Sequence, residues 1–467
     1  MHFKHKFDPG ILRAYDIRGI IDKNLNVLDA FMLGYFFGLT VKKKLQPSKK
    51  PKIIISRDGR LSSNDISSHL IKGLLKSGSH VINVGLNPTP VLYFSNKYFT
   101  ADASIQVTGS HNPKNYNGFK MVMFNKSFFD NDIIQLGKFA EQGSNESHEG
   151  KYDESNIEKI YIDRVLQPII NLKSKSISNK TIVWDCGNGA TGNIINNLTT
   201  KIPGKHYILF SEIDGNFPNH EPDPTKKENL KDLENEIKRV KADFGIAFDG
   251  DGDRVSIMRS NGSLIPGDLL TAFLTQSIND KTKKIILDVK SSIKAKNAIE
   301  NFGFNVKLWK TGHSNIKSEM LKEKSLLAGE MSGHIFFADN YYGYDDAIYA
   351  SIRFIELIEK GFKVDEFLNN LEKSFTTPEI KAPCSEELKF KIVDKIISKL
   401  NQKYNPAELL LIDGIRVTND YGWFLIRASN TENALVVRAE GKTTNFRNLL
   451  VDEVKTLLKE EGIFINL

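Results

Sequence analysis

The sequence predicts an α/β protein: three related mixed α/β domains and a smaller C-terminal α+β domain around a central cleft. Three observations lead there. Apolar strand runs alternate with amphipathic helix patterns through most of the chain, which is the signature of a largely parallel sheet. The outline of the first stretch returns twice, each time ending a strand in one polar loop. Near Thr376 the character changes to strands joined by short turns and flanked by two long helices. A chain of 467 residues also exceeds one ordinary core and suits about three or four domains.

The elements follow in order. Ala30 to Val41 is apolar throughout, too short to span a bilayer, and reads as a buried helix. Lys52 to Ser56 is a buried strand, turned by Arg57-Asp58-Gly59-Arg60. A helix follows, with Ser62 or Ser63 as N-cap and Ile66, Leu70, Ile71, Leu74 and Leu75 on one face. Gly78 ends it, and Val81 to Val84 is the next strand. A further helix leads to the strand Ala103–Val107 and the loop Thr108-Gly109-Ser110-His111-Asn112-Pro113. Gly118-Phe119-Lys120 opens a β-rich piece that runs to Phe124. Residues 142–156 are polar, and a surface excursion and domain boundary are expected there. A helix is expected from Ile157 to Leu172.

The second unit repeats the pattern. Thr181 to Trp184 is a strand, and Asp185-Cys186-Gly187-Asn188-Gly189 turns into a helix. Ala242-Asp243-Phe244-Gly245-Ile246 resembles Ala101-Asp102-Ala103-Ser104-Ile105, which sets Asp251 opposite Ser110. A third pass opens with Ile285 to Lys290, and its counterpart loop is Ala328 to His334. Ligands on open α/β sheets bind beyond the strand carboxyl ends, so three such loops can converge on one cleft. The last part reads as a helix from Glu387 to Lys403, strands at Gly414–Thr418, Gly422–Arg427 and Ala434–Ala439, and a helix from Thr444 to Glu460. The expected domains are 1–150, 151–257, 258–372 and 373–467.

Totals narrow the function. The chain is 40% hydrophobic and 26% charged, with mean hydropathy −0.32, as in a globular protein. A net charge of +7, with lysines scattered, fits small anionic ligands better than nucleic acid. Lys42-Lys43-Lys44 and Lys49-Lys50 read as a solvated helix end and linker. Cys186 and Cys384 make neither a disulfide framework nor a metal cluster. With no signal-peptide pattern at the start, the expected location is cytoplasmic.

Four loops carry chemistry. Ser110 stands at the turn after a strand, with His111 beside it, where an exposed serine is placed as a nucleophile. Asp249-Gly250-Asp251-Gly252-Asp253-Arg254 sets three carboxylates at alternate positions, which repel unless a cation lies among them. Hard oxygen ligands suit Mg²⁺ or Ca²⁺. An EF-hand is excluded, since its twelfth position from Asp249 would be Ser260 rather than Glu. Glu330, Ser332 and His334 alternate after a strand and offer donors and acceptors to sugar hydroxyls. Arg427-Ala428-Ser429-Asn430-Thr431 offers a guanidinium, hydroxyls and an amide on one turn, an inventory for a phosphate dianion. Arg13 to Gly19, with Tyr15 and Arg18, suits an anion-facing loop, and His313 in a Gly-Ser turn can titrate or bind phosphate.

Together these motifs resemble the α-D-phosphohexomutases. Tyr15-Asp16-Ile17-Arg18-Gly19, Thr108 to Pro113, Asp249 to Arg254, Gly329-Glu330-Met331-Ser332-Gly333-His334 and Arg427 to Thr431 occur in that family's order over nearly the whole chain. The resemblance implies four domains and a phosphate carried on Ser110. It implies Mg²⁺ held by Asp249, Asp251, Asp253 and a phosphoserine oxygen. It also implies transfer to a hexose monophosphate through a 1,6-bisphosphate, with glucose 1,6-bisphosphate as activator. Arg18, Lys120, His313, His111 and Arg254 are then the catalytic candidates. Tyr15, Lys290, Glu330, Ser332, His334, Arg427, Ser429, Asn430 and Thr431 are the substrate-binding candidates.

Met331 points to the phosphomannomutase/phosphoglucomutase branch, because phosphoglucosamine mutases typically carry Gln there. Glu432-Asn433 depart from the family, where Pro commonly follows the Asn-Thr of the phosphate loop. The rival readings are a phosphoglucosamine mutase, a non-catalytic phosphosugar-binding protein and a metal-dependent phosphatase. The expected partners are hexose phosphates, without nucleic acid or membrane, in a monomer or weak dimer.

Overall fold

The structure is a computed structural model and describes residues 2–46, 49–170, 172, 177–430 and 433–465. It divides into two compact units, one of residues 1–270 with 332–362, the other of residues 271–331 with 363–467. Among the described residues, no helix is long and apolar enough to cross a membrane.

The first unit holds two mixed sheets. In the first sheet the strand order is Ile17–Ile20, Tyr116–Met123, Ala103–Val107, Lys52–Arg57, His80–Leu86, Lys151–Glu154. Lys52–Arg57 runs parallel to both of its neighbours, while Tyr116–Met123 runs antiparallel to Ala103–Val107 and Ile17–Ile20. The second sheet runs Leu264–Ile265, Val255–Arg259, Phe244–Phe248, Thr181–Asp185, Lys205–Leu209. Its last three strands are parallel, which places the loops after Phe248 and Asp185 at one end. Ser110 and Asp251 follow their strands, Ala103–Val107 and Phe244–Phe248, at the same spacing, as the internal comparison predicts.

Local chemistry explains the main helix pair. Asn26 caps the helix Val27–Lys43 in a reciprocal box with Asp29. The helix is apolar nearly all round because it is buried nearly all round, with Leu33, Tyr35, Phe36, Phe37, Leu39 and Val41 inside. It meets Ser63–Lys76 backbone to backbone. A Cβ on Gly34 would stand 2.2 Å from the Leu70 carbonyl, and one on Gly73 would stand 1.9 Å from that of Phe31. Only glycine at both positions permits this approach.

Elsewhere in this unit, Ile335–Phe337 and Tyr344–Asp345 pair antiparallel and lead into the buried helix Ala347–Glu359. Asp346 caps that helix through Tyr349 N at 2.8 Å and accepts from Tyr341 Oη at 2.7 Å and Tyr161 Oη at 2.9 Å. Burial pushes its carboxyl up to about 6.

In the second unit, Ile285–Asp288 lies between Val306–Trp309 and Leu327–Gly329, all parallel. An antiparallel sheet orders Phe375–Thr376, Ala434–Gly441, Gly422–Ala428, Ile415–Asn419, Leu409–Leu410, with Ile380–Pro383 also on Ala434–Gly441. The helices Glu386–Lys403 and Thr444–Glu460 cover its apolar face through residues such as Ile396, Val454 and Leu458.

Three expectations need correction. The polar stretch 142–156 is more than a surface excursion, since Lys151–Glu154 adds an edge strand parallel to His80–Leu86. An edge strand is held by backbone hydrogen bonds and needs no apolar face. The helix expected over 157–172 stops at Val165 and restarts briefly as Gln167–Ile170. Arg18 sits on the strand Ile17–Ile20 rather than a loop, because Gly118 and its neighbours supply the ladder partners.

Candidate active site

The Ser110 turn is the centre of the first unit's chemistry. Ser110 is only 2% exposed, which corrects the exposed turn expected from sequence. The surrounding loops that cover it are remote in sequence and invisible to a local reading. Its backbone is left-handed, φ +50°, where a non-glycine residue is strained. The backbone N–H donates to Thr108 Oγ1 at 2.8 Å. Ser110 Oγ donates to Asp249 Oδ2 at 2.9 Å and lies 3.2 Å from His111 Nδ1. Burial, then Arg254, Arg18 and Lys120, hold the His111 imidazole well below its ordinary value. These surroundings favour the neutral imidazole.

Asp249, Asp251 and Asp253 are fully buried and bring three carboxylates within reach of one another. Asp249 Oδ1 accepts from the backbone N–H of Asp253 and Arg254, each at 3.1 Å. Burial, with Asp251 and Asp253 beside it, raises the Asp249 carboxyl well above the ordinary carboxylate value. Asp251 Oδ2 accepts from Lys120 Nζ at 2.6 Å and from the Thr89 hydroxyl. Lys120 also donates to Asp253 Oδ2. Burial favours protonation of both carboxyls, but Lys120 holds Asp251 and Asp253 low, with help from Thr89 at Asp251 and His334 at Asp253. Burial alone would lower the Lys120 ammonium. Asp251, Asp253 and Asp249 reverse that and raise it.

The donor set fits a hard divalent cation. Asp251 Oδ1 and Asp253 Oδ1 are buried with no hydrogen-bond partner. Leaving two carboxylate oxygens unsatisfied is costly, and a cation is what satisfies them.

Arginines border this set. Arg18 Nη1 donates to the Gly109 carbonyl at 2.7 Å and to Asn112 Oδ1, and Nη2 pairs with Asp16. Arg254 Nε donates to His334 Nε2 at 3.0 Å. His334 Nδ1 lies 3.1 Å from Asp345 Oδ2 and 3.6 Å from Asp253 Oδ1. His334 is 4% exposed, with its ring nitrogens beside Arg254, Asp345 and Asp253. Ser332 and Tyr15 are half-buried in the same unit.

The second unit gathers the remaining candidates. Lys290, 7% exposed, pairs with Glu379 Oε2 at 2.9 Å. Although burial would raise Glu379, Lys290 holds its carboxyl below the ordinary value. Arg427 Nε donates to Asp413 Oδ2 at 3.0 Å, and the same oxygen accepts from Thr311 N at 3.1 Å. Glu330 Oε1 accepts from Gly312 N at 3.1 Å, which fixes the turn that presents His313, and Lys317 Nζ lies 3.0 Å from His313 Nδ1. Ser429 N donates to Ala434 O at 2.9 Å and closes the hairpin. Asn430 is half-buried beside it, and Thr431 lies outside the described residues. Arg438 donates to Lys290 O at 2.6 Å and contacts Met331 Sδ. Lys389 Nζ, 1% exposed, donates to Ser429 O at 2.6 Å.

Sequence reading missed Asp58, Thr89, Asp345, Glu379 and Asp413, each a buried or partly buried partner of a residue it named. Only the acidic character of four of them offered a signal. Nothing in the chain order links them to the loops they support.

Comparison with known proteins agrees with this inventory. Residues 10–136, 159–262 and 266–375 match α/β/α domains I, II and III of phosphoglucomutase/phosphomannomutase, and 379–456 match its C-terminal domain. The chain is 38% identical to a phosphomannomutase/phosphoglucomutase of Pseudomonas syringae pv. tomato, over 93% of this chain and 91% of that protein. It is 37% identical to a phosphoglucomutase of Neisseria gonorrhoeae, over 93% of each. A crystal structure of a phosphoglucomutase/phosphomannomutase family protein from Burkholderia thailandensis superposes with a TM-score of 0.88 at 33% identity, covering 98% of both chains. Four matched domains in order, and near-full-length relatives, place the chain in the phosphoglucomutase/phosphomannomutase family, and it is a phosphohexomutase.

Proposed function

We propose that this phosphohexomutase interconverts the 1- and 6-phosphates of mannose and glucose through a phosphate on Ser110. The observation that carries the reading is the bond from Ser110 Oγ to Asp249, inside a carboxylate set with two unsatisfied buried oxygens. Asp249, Asp251, Asp253 and a phosphoserine oxygen would hold Mg²⁺, which when bound supplies positive charge against the transferring phosphoryl group.

The chain's own groups do the rest. In the first transfer, the P–Oγ bond of phosphoserine breaks and a P–O bond forms to the free sugar hydroxyl, whose proton passes to a nearby base. The resulting 1,6-bisphosphate returns its other phosphate to Ser110 Oγ, and the proton goes back to the departing sugar oxygen. Glucose 1,6-bisphosphate thus serves as activator, since it phosphorylates Ser110 directly. Arg254 and Arg18 offset charge on the moving group, and His111 is assigned beside the Ser110 hydroxyl, with Lys120 at the carboxylates. Arg427, Ser429, Asn430, Thr431, Lys290 and Tyr15 are assigned to the phosphate that does not react. Glu330 and Ser332 are assigned to the sugar hydroxyls, and His313 to proton transfer. Segments 1–150, 151–257, 258–372 and 373–467 would carry the serine, metal, sugar and phosphate loops in turn. The enzyme is placed in the cytoplasm as a monomer or weak dimer.

The test is turnover of mannose 1-phosphate, glucose 1-phosphate and glucosamine 1-phosphate with Mg²⁺ and a trace of glucose 1,6-bisphosphate. Comparable rates for mannose and glucose, with glucosamine far slower, are expected. Fastest turnover of glucosamine would move the chain to the aminosugar branch. Ser110→Ala is expected to abolish turnover while sugar-phosphate binding persists, and near-normal turnover in that variant contradicts the phosphoserine route.

A further inference from the structure

Arg60 belongs to no functional motif in the sequence, where it only helps turn the chain. In the structure its guanidinium is 2% exposed and lies against the Ser110 loop. Nη1 donates to the carbonyls of Pro113 at 2.6 Å and Tyr116 at 3.0 Å. Nη2 donates to those of Ser110 at 2.7 Å and Asn112 at 2.5 Å. Nε donates to Asp58 Oδ2 at 3.2 Å. All five N–H donors of the group are therefore spent, four of them on one loop.

The rest of the turn grips the same loop from its other end. Asp58 Oδ2 accepts from Thr108 Oγ1 at 2.7 Å and Gly109 N at 3.1 Å. A Cβ on Gly109 would stand 2.3 Å from Arg60 Cζ, so glycine lets the guanidinium slide beneath the loop. Arg60 is also stacked on the Phe217 ring at 5.1 Å, which restricts its own movement. Meanwhile Ser110 keeps a left-handed backbone, which is strained for a non-glycine residue and persists only where its surroundings hold it.

We propose that Arg60 is a positioning residue for the nucleophile. By drawing four carbonyl oxygens to itself, it holds Ser110 in the left-handed conformation with its carbonyl toward Arg60 and Oγ toward Asp249. The same pull turns partial negative charge in the loop away from the phosphoryl group. Arg60 does not touch the substrate. The fork is specific to arginine, because a lysine ammonium has three donors at one point and cannot span four carbonyls. This inference rests on the reading of Ser110 as the phosphate carrier.

The test uses the full chain with Arg60→Lys and Gly109→Ala. It measures kcat and KM together with the rate at which glucose 1,6-bisphosphate phosphorylates residue 110, read by intact mass on folded protein. Arg60→Lys is expected to lower kcat and the phosphorylation rate together by about 100-fold, the scale of a misplaced reacting group, with KM within about threefold. A purely structural role would lower the yield of folded protein and leave its phosphorylation rate unchanged. Wild-type kcat and phosphorylation rate in folded Arg60→Lys would overturn the proposal. If that variant does not accumulate, Gly109→Ala carries the test with the same expected signature, and wild-type behaviour there overturns it equally. Turnover in the wild type without phosphate on residue 110 would instead overturn the reading of Ser110.

Discussion

The two groups of candidate residues handle charge in opposite ways. In the first unit, three buried carboxylates gather around Lys120, and Asp251 Oδ1 and Asp253 Oδ1 have no hydrogen-bond partner. In the second unit, Lys290 pairs with Glu379 and Arg427 with Asp413. The first arrangement is unsatisfied until a cation arrives. The second already pairs its cations with carboxylates, so an anion entering there would compete with them. The difference separates an acidic loop that could hold a metal ion from a loop whose cations are already paired with carboxylates.

The largest expected effect breaks the first arrangement. Asp251→Asn removes a carboxylate that Lys120 and the cation share, and activity should fall about 1,000-fold and lose its dependence on Mg²⁺ concentration. Full activity of this variant in EDTA would refute the cation assignment.

A smaller effect tests the second arrangement. Arg427→Gln deletes a charge-assisted contact, and KM should rise about 10- to 100-fold with kcat within a few-fold. A fall in kcat with unchanged KM would show that Arg427 acts on the transition state and that the division of labour is wrong.

The smallest effect lies outside both groups and sharpens the comparison by calibrating pH. Asp346 has its carboxyl raised from 3.8 to about 6 by burial. As pH rises from about 4 to 6, the unfolded chain loses this proton before the folded one does. Stability therefore falls across that window, by up to about 3 kcal/mol. Asp346→Asn should flatten that slope in denaturant titrations at pH 4 to 6. An unchanged slope would assign the pH dependence elsewhere.

Much of this was legible in the chain order. Period-3.6 patterns and caps marked the helices Ser63–Lys76, Glu386–Lys403 and Thr444–Glu460 within a residue or so. The alternating aspartates announced the acidic cluster, because their spacing along the loop brings the carboxylates together. What local pattern could not carry was partnership. Arg60 and Ser110, Thr89 and Asp251, and Asp413 and Arg427 meet only after the sheets form. The edge strand Lys151–Glu154 was hidden for a related reason, since ladder hydrogen bonds come from the backbone and leave no trace in side-chain polarity.

By itself, then, the sequence determined the α/β architecture, the order of the motifs and the residue types that chemistry requires. Those depend on periodicity and on the functional groups of neighbouring residues. Tertiary structure alone decided that Ser110 is buried and left-handed, that Arg254 donates to His334, and that Arg60 lies beneath the Ser110 loop. Each of these depends on burial and on contacts between residues far apart in the chain, and such contacts set the environment that makes a side chain reactive.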